Sequence, residues 1–169
     1  MDTGLLILRL VLGLLMAAHG AQKLFGWFGG PGLAGASGMF ESLGFRPGRL
    51  FVAAAGTSEI GGGLLMALGL LGPVGPALML SVMVVAAVSV HAPHGLFAMS
   101  NGIEIPLLYG IGAAALALTG PGHYSVDALL GLTPLWTSPL SWAALVAGIL
   151  GGVANLALRR PPTAASVAA

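Results

Sequence analysis

The sequence predicts an all-α, polytopic membrane helix bundle, and its composition and patterning carry that prediction. Only 7% of the 169 residues are charged, whereas a soluble domain carries about 25% because its surface meets water. The chain is 57% hydrophobic, and its apolar runs are continuous rather than alternating. In lipid, only helices and closed barrels satisfy their own backbone, and barrel strands alternate. We therefore expect helices whose main contact is the lipid bilayer.

Five apolar runs are long enough to predict spanning helices, since a transmembrane helix needs about 20 mainly apolar residues. Two of the runs qualify although they contain Arg9 and Glu59. The fourth run is the shortest, and it places Pro106 in its first turn, where proline is tolerated. The runs are residues 5–25, 50–71, 74–92, 103–118 and 140–158.

The remaining segments predict no further span. The opening MDTG lacks a cation and Arg9 interrupts the first run, so we interpret this run as a retained helix rather than a signal peptide. Residues 26–48 mix aromatic and small residues, with Glu41 as the only acid. This pattern predicts an interfacial or re-entrant piece with Trp27 at headgroup depth. We predict that residues 161–169 form a disordered tail.

Cations flanking the runs predict the orientation of the chain. With five spans, one side of the membrane carries Lys23, Arg46, Arg49, Arg159 and Arg160. Cytoplasmic loops carry an excess of Lys and Arg, so this side should be cytoplasmic. The prediction is a bacterial inner-membrane protein with its N-terminus outside and its C-terminus in the cytoplasm.

Polar residues inside the runs predict a cluster within the bilayer, because ionisable groups in spans are costly and usually face the bundle interior. Arg9, Met16 and Lys23 recur every seven residues and so share one helix face, with His19 and Gln22 beside it. This arrangement places two cations, an imidazole and an amide on one side of the first helix.

The second run supplies an acid at similar depth. At about 1.5 Å per residue, Glu59 lies about 14 Å and His19 about 9 Å from the cationic face. Glu59 is therefore the predicted counter-ion of Arg9 or His19. The ends of the third and fourth runs lie on the same face, which completes the candidate cluster of Arg9, His19, Gln22, Lys23, Glu59, His91, His94 and Glu104.

Each member also has a purely structural interpretation. Arg9 and Glu59 could only fix helix register, Lys23 could extend to the headgroups, and Glu104 could cap its helix. His91 and His94, separated by Ala92 and Pro93, do not define a metal ligand set, so we predict no metal site.

The absence of certain residues excludes several classes of function. The chain contains no cysteine, which excludes a dithiol relay, a thiolate-held zinc and a cysteine-held iron–sulfur cluster. It has no basic patch with interleaved aromatics, so no nucleic-acid partner is expected. No motif for an intrinsic cofactor is present.

Several short pieces, in order and spacing, resemble the DoxX family of small bacterial membrane proteins over residues 5–131. The resemblance implies a four-helix membrane core at residues 1–131. The fifth run departs from the family pattern, so we expect a linker and an additional transmembrane helix at 132–160, followed by a tail at 161–169. The pieces are Arg9, HGAQKLFGWFGGPG from His19, EIGGGLLMALGL from Glu59, HAPHGLF, NGIE and TGPGHYSVD.

The resemblance also implies a subunit of a quinone-linked redox or redox-stress system, whose partner subunits supply the electrons. In such a site His19 or His91 would carry a proton, and Glu59 would relay it. Lys23 or Gln22 would bind a quinone carbonyl, and the aromatic pair Trp27 and Phe28 offers stacking partners. The sequence leaves open whether the chain is itself catalytic, a non-catalytic anchor or scaffold, or a small transporter.

Overall fold

The structure, a computed structural model, describes residues 1–160 as helices joined by short turns, with no strand in that range. The all-α class is therefore confirmed, whereas the predicted disordered tail lies outside the described residues. The helices are α1 (Asp2–Phe25), α2 (Gly32–Ser42), α3 (Gly48–Leu68), α4 (Val74–Ala86), α5 (Glu104–Thr119), α6 (Val126–Leu129) and α7 (Ser138–Ala157).

Four of these helices are long and apolar enough to cross a membrane, which confirms the polytopic bundle. They are α1, α3, α7 and the helical stretch Val74–His94 that begins with α4. The fourth predicted run corresponds to α5, which has 16 residues and is about 24 Å long at about 1.5 Å per residue. A crossing by α5 stays a prediction that its apolar character supports.

The bundle has two opposite faces, and at each of them a hydrogen bond joins one end of the described chain to a connection between helices. On the face that we call the N-terminal face, the His123 amide donates to Asp2 Oδ1 at 2.9 Å. On the other, the C-terminal face, the Arg160 amide donates to the Gly44 carbonyl at 2.8 Å. The connections 69–73 and 120–137 lie on the N-terminal face, and 26–47, 92–103 and 158–160 lie on the C-terminal face.

Glycines allow α1 and α3 to approach closely. A Cβ on Gly13 would overlap the Gly63 carbonyl, and a Cβ on Gly63 would overlap the Gly13 carbonyl. Two helical turns further along α1, a Cβ on Gly20 would overlap the Gly56 carbonyl in the same way. Without a hydrophobic driving force in lipid, such backbone contact is a main source of helix association. The core beside this crossing consists of Met16, Met66, Met79, Met83, Ala113 and Leu116.

The segment predicted to be interfacial forms a 3-10 turn, Trp27–Gly29, and the 11-residue helix α2. A helix of that length is too short to span a bilayer, in agreement with the prediction. Its end is fixed to α3, because Glu41 Oε1 accepts a hydrogen bond from the Gly48 amide at 2.9 Å. Phe45, in the connection between α2 and α3, packs beside Phe51 of α3.

The end of α4 departs from α-helical geometry. It continues as a π-helical turn, Ala87–His91, and then as a 3-10 turn, Ala92–His94. A π turn inserted in a helix shifts the direction of the side chains that follow it and is frequent at functional sites. Here it sets the direction of His91.

The C-terminal helix packs within the same bundle, mainly on α4. A Cβ on Gly152 of α7 would lie 2.7 Å from the Ser81 carbonyl, so the two backbones are close. Whether residues 1–131 form a separate core, as predicted, stays a prediction.

Candidate functional site

A buried ion pair is the centre of the polar site. Lys23 Nζ, at the end of α1, donates to both carboxylate oxygens of Glu59 in α3, at 2.7 and 2.8 Å. The Glu59 side chain is 3% exposed and that of Lys23 is 22% exposed. The prediction that Glu59 would pair with Arg9 or His19 is wrong, because the side chain of Lys23 turns inward instead of extending to the headgroups.

Two cavities flank this pair, and Lys23, Glu59, Ala86 and His91 line both of them. The larger, of about 270 Å³, lies between α2, α3, α4 and α7, and we call it the aromatic cavity. The smaller, of about 130 Å³, lies between α1, α3, α4 and α5, and we call it the histidine cavity. The ion pair therefore forms a polar part of the wall of both cavities.

Three phenylalanines give the aromatic cavity its name. Phe45 is buried and packs against Phe40 and Phe51, with ring centroids 5.8 and 5.3 Å apart. Arg159 contacts two of the lining residues, because its guanidinium lies 5.5 Å from the Phe45 centroid and its Nε donates to the Leu43 carbonyl. The remaining lining is mostly apolar, with the serines Ser58, Ser81 and Ser89 and the amide of Asn155.

The histidine cavity contains a second aromatic contact. The rings of His19 in α1 and Tyr109 in α5 meet edge to face, with centroids 6.2 Å apart. Both line the cavity with the ion pair. His19 therefore lies at the site as predicted, although it is not the direct partner of Glu59.

His91 reaches the site from the π turn of α4. Its Nδ1 lies 2.7 Å from the backbone carbonyl oxygen of Asn101. The bond joins the end of α4 to the loop before α5, while the ring lines both cavities. His91 is thus the member of the histidine pair that the structure brings into the site.

Arg9 lies apart from this site, near the N-terminal face. It is 2% exposed, and its Nη2 donates to the backbone carbonyl of Tyr124. Nε and Nη1 have no hydrogen-bond partner within residues 1–160. A Cβ on Gly69, just past the end of α3, would overlap Nη1, so the cation lies at the carbonyl end of that helix, where the dipole favours it.

A buried acid organises the same face. Asp127 is fully buried, and its two carboxylate oxygens accept hydrogen bonds from the amides of Leu71 and Gly72, at 3.0 and 2.7 Å. The turn between α3 and α4 is thereby tied to α6. Arg9 and Asp127 each make structural contacts at this face through the backbone, and a structural role is one interpretation that the sequence offers for Arg9.

The other predicted members do not line the two cavities. Gln22 donates to the Phe28 carbonyl at 3.4 Å, and His94 Nδ1 bonds the Val90 carbonyl one turn back. Glu104 Oε2 accepts the Ala98 amide at 2.7 Å and so braces the loop before α5. Trp27 and Phe28, predicted as stacking partners, are 60% and 72% exposed and lie outside the cavities.

Sequence reasoning missed several lining residues. Tyr109 and Asn155 are lone polar side chains inside apolar runs, and such side chains usually face the bundle interior. Phe40, Phe45 and Phe51 follow no helical period, and only the packing of α2 on α3 brings them together. Within the described part of the chain, no three potential ligand side chains lie close enough to hold a metal ion.

The fold and the site define a small polytopic membrane protein with a buried polar pair between two cavities of its helix bundle. The DoxX family model matches residues 4–92, which is more than half of the 169 residues, so the chain belongs to the DoxX family. The pieces NGIE and TGPGHYSVD lie beyond the matched residues. No curated protein and no solved structure is significantly similar to the chain.

Proposed function

We propose that the chain is a subunit of a quinone-linked redox system and that it binds the quinone ring in the aromatic cavity against the Lys23–Glu59 pair. The observation that supports the proposal most is the position of this pair. An ionised pair in a span is costly, and such groups usually mark a functional pathway. Here it borders a cavity walled by phenylalanines, which suits an aromatic ring with polar substituents.

The donors present fit a quinone oxygen. An ammonium group has three N–H donors, and Lys23 uses two of them on Glu59. The third is available to a carbonyl oxygen in the cavity. Phe40, Phe45 and Phe51 would contact the ring faces, and Glu59 would hold the ammonium in place. When bound, a quinone supplies the capacity to carry electrons and protons within the membrane.

The rest of the system would come from partners. We expect a partner subunit with a flavin, metal or haem group to exchange electrons with the ring. We place the chain in the bacterial inner membrane with the C-terminal face in the cytoplasm, because Lys23, Arg46, Arg49, Arg159 and Arg160 all lie at that face.

The test is calorimetric binding of a short-tailed quinone, decyl-benzoquinone, to the full chain in lipid nanodiscs. Empty nanodiscs correct for partition of the quinone into lipid. We expect saturable binding that weakens at least about tenfold, or about 1.4 kcal/mol, in Ala55→Leu, because the added side chain fills the aromatic cavity.

The matched control is Ala154→Leu, the same change at an exposed position of α7 that lines neither cavity. It should bind as the unchanged chain does. If the signal is linear in quinone and equal to that of empty nanodiscs, the proposal is wrong and the anchor interpretation is favoured.

A further inference from the structure

We propose that His91 gives this site a preference for the reduced form of its ligand, by accepting a hydrogen bond from a ring hydroxyl at Nε2. The inference rests on the proposed function and deepens it, since it names a quinol or phenol, rather than a quinone, as the tighter ligand. It is carried by the hydrogen bond between the His91 ring and the backbone carbonyl of Asn101.

The partner of Nδ1 fixes which ring nitrogen carries the hydrogen. The Asn101 oxygen, 2.7 Å away, is a backbone carbonyl and can only accept. Nδ1 must therefore be the donor. In a neutral imidazole the other nitrogen then has a lone pair and no hydrogen, so Nε2 can only accept.

The carbonyl that sets this tautomer belongs to a tightly closed loop. The Ile103 amide donates to the Gly95 carbonyl at 3.0 Å, and the Gly102 amide donates to the Phe97 carbonyl at 2.9 Å. Glu104 adds the bond to the Ala98 amide. Because backbone bonds on both sides hold Asn101, its carbonyl stays directed at His91.

A ligand ring then meets two different polar groups. Lys23 can donate to a ring oxygen in either redox state, since both a carbonyl and a hydroxyl accept. Nε2 of His91 distinguishes the two states. A quinol hydroxyl can donate to it, whereas a quinone carbonyl would place two acceptors together and leave both unsatisfied.

The expected effect is that the quinol binds about tenfold more tightly than the quinone. Preferential binding of the reduced form raises the midpoint potential of the bound couple. For a two-electron couple, a tenfold preference corresponds to about 30 mV.

The test compares decyl-benzoquinone with decyl-hydroquinone, kept reduced under argon with ascorbate, by calorimetry in nanodiscs that contain the full chain. The dimethyl ether of decyl-hydroquinone, which has no hydroxyl hydrogen, should bind no better than the quinone. His91→Phe should bring the ratio of the two affinities close to one. A role of His91 in folding alone would leave that ratio unchanged.

His94→Phe is the matched control, because His94 makes the same kind of Nδ1–carbonyl bond but lines neither cavity. It should keep the preference. Equal affinity for both forms in the unchanged chain would overturn this inference and leave the proposed function standing, whereas saturable binding of neither form would overturn both.

A second measurement does not depend on the His91 variant folding. In a chain whose sole histidine is His91 (His19→Gln, His94→Phe, His123→Gln), nitrogen-15 shifts of the ring distinguish the two neutral tautomers. Hydrogen on Nδ1 supports the inference, and hydrogen on Nε2 overturns it.

Discussion

At the residue scale, the Lys23–Glu59 pair has two separable roles. As a structural contact it links the end of α1 to the middle of α3, and as a polar group it borders both cavities. Removal of one partner of a buried pair leaves an uncompensated charge, whereas replacement of both by apolar side chains is often neutral or stabilising. Variants of the pair can therefore distinguish an anchor from a ligand site.

We expect Lys23→Met to destabilise the chain by about 3 kcal/mol, at the low end of the range for broken buried pairs because Lys23 is partly exposed. For a chain of this size, that corresponds to a fall in Tm of about 6–12 °C. The double variant Lys23→Met/Glu59→Met should recover most of the loss. Thermal denaturation in detergent measures both.

The double variant then separates the two roles. A stable chain that no longer binds the quinone would assign the pair to the ligand site. If the double variant is no more stable than Lys23→Met, the loss does not come from the unpaired Glu59 and the energetic account is wrong.

At the element scale, the crossing of α1 and α3 depends on backbone contact. Three consecutive glycines in α3 have different surroundings: Gly63 lies against the Gly13 carbonyl, Gly62 lies beside Leu78 of α4, and Gly61 has nothing within 4 Å of an added Cβ. Three glycines in a row by themselves favour close helix packing, within the bundle or against another subunit. Within the described residues, only two of them provide it.

Gly63→Ala should destabilise the bundle by about 1–3 kcal/mol, because its Cβ would force two backbones apart. Gly61→Ala should be neutral or stabilising by up to about 1 kcal/mol, since alanine is the better helix former. Thermal denaturation of the two variants side by side provides the check. Equal effects would show that the crossing does not require glycine at Gly63.

The helices could be predicted from the sequence because length and continuous hydropathy are local properties. The predicted run 140–158 agrees with α7, Ser138–Ala157, to within two residues at each end. The partner of Glu59 could not be predicted in this way, because it depends on how α1 is rotated against α3. Lys23 and His19 are one turn apart, so depth alone did not distinguish them.

At the scale of the whole molecule, the arrangement of the two faces leads to an orientation that can be measured. The chain has no native cysteine, so single cysteines report cleanly on their own surroundings. Ser42→Cys lies on the C-terminal face and Thr133→Cys on the N-terminal face, and both positions are exposed. We expect a membrane-impermeant thiol reagent to label Thr133→Cys in intact spheroplasts and Ser42→Cys only after lysis. The reverse pattern would contradict the proposed orientation.

Of the eight candidate residues, the structure brings four to the two cavities, His19, Lys23, Glu59 and His91, and this assembly could not be predicted from the sequence. Lys23, Glu59 and His91 meet because of the α1–α3 crossing and the π turn, and neither leaves a periodic signal. The phenylalanine wall requires α2 to fold back on α3. The predicted pairing of Arg9 with Glu59 is wrong, because the hydrogen-bond partner of Arg9 is the Tyr124 carbonyl, 115 residues away in sequence.

The central claim is that a membrane-borne ring occupies the aromatic cavity beside the Lys23–Glu59 pair. The most direct measurement is photolabelling of the full chain in nanodiscs with a diazirine-bearing decyl-benzoquinone, followed by mass spectrometry. The account predicts labels within residues 40–55 and 81–91 that excess unlabelled quinone suppresses. Labels that no competitor suppresses, spread over exposed apolar positions such as Leu107 and Ile111, would contradict it.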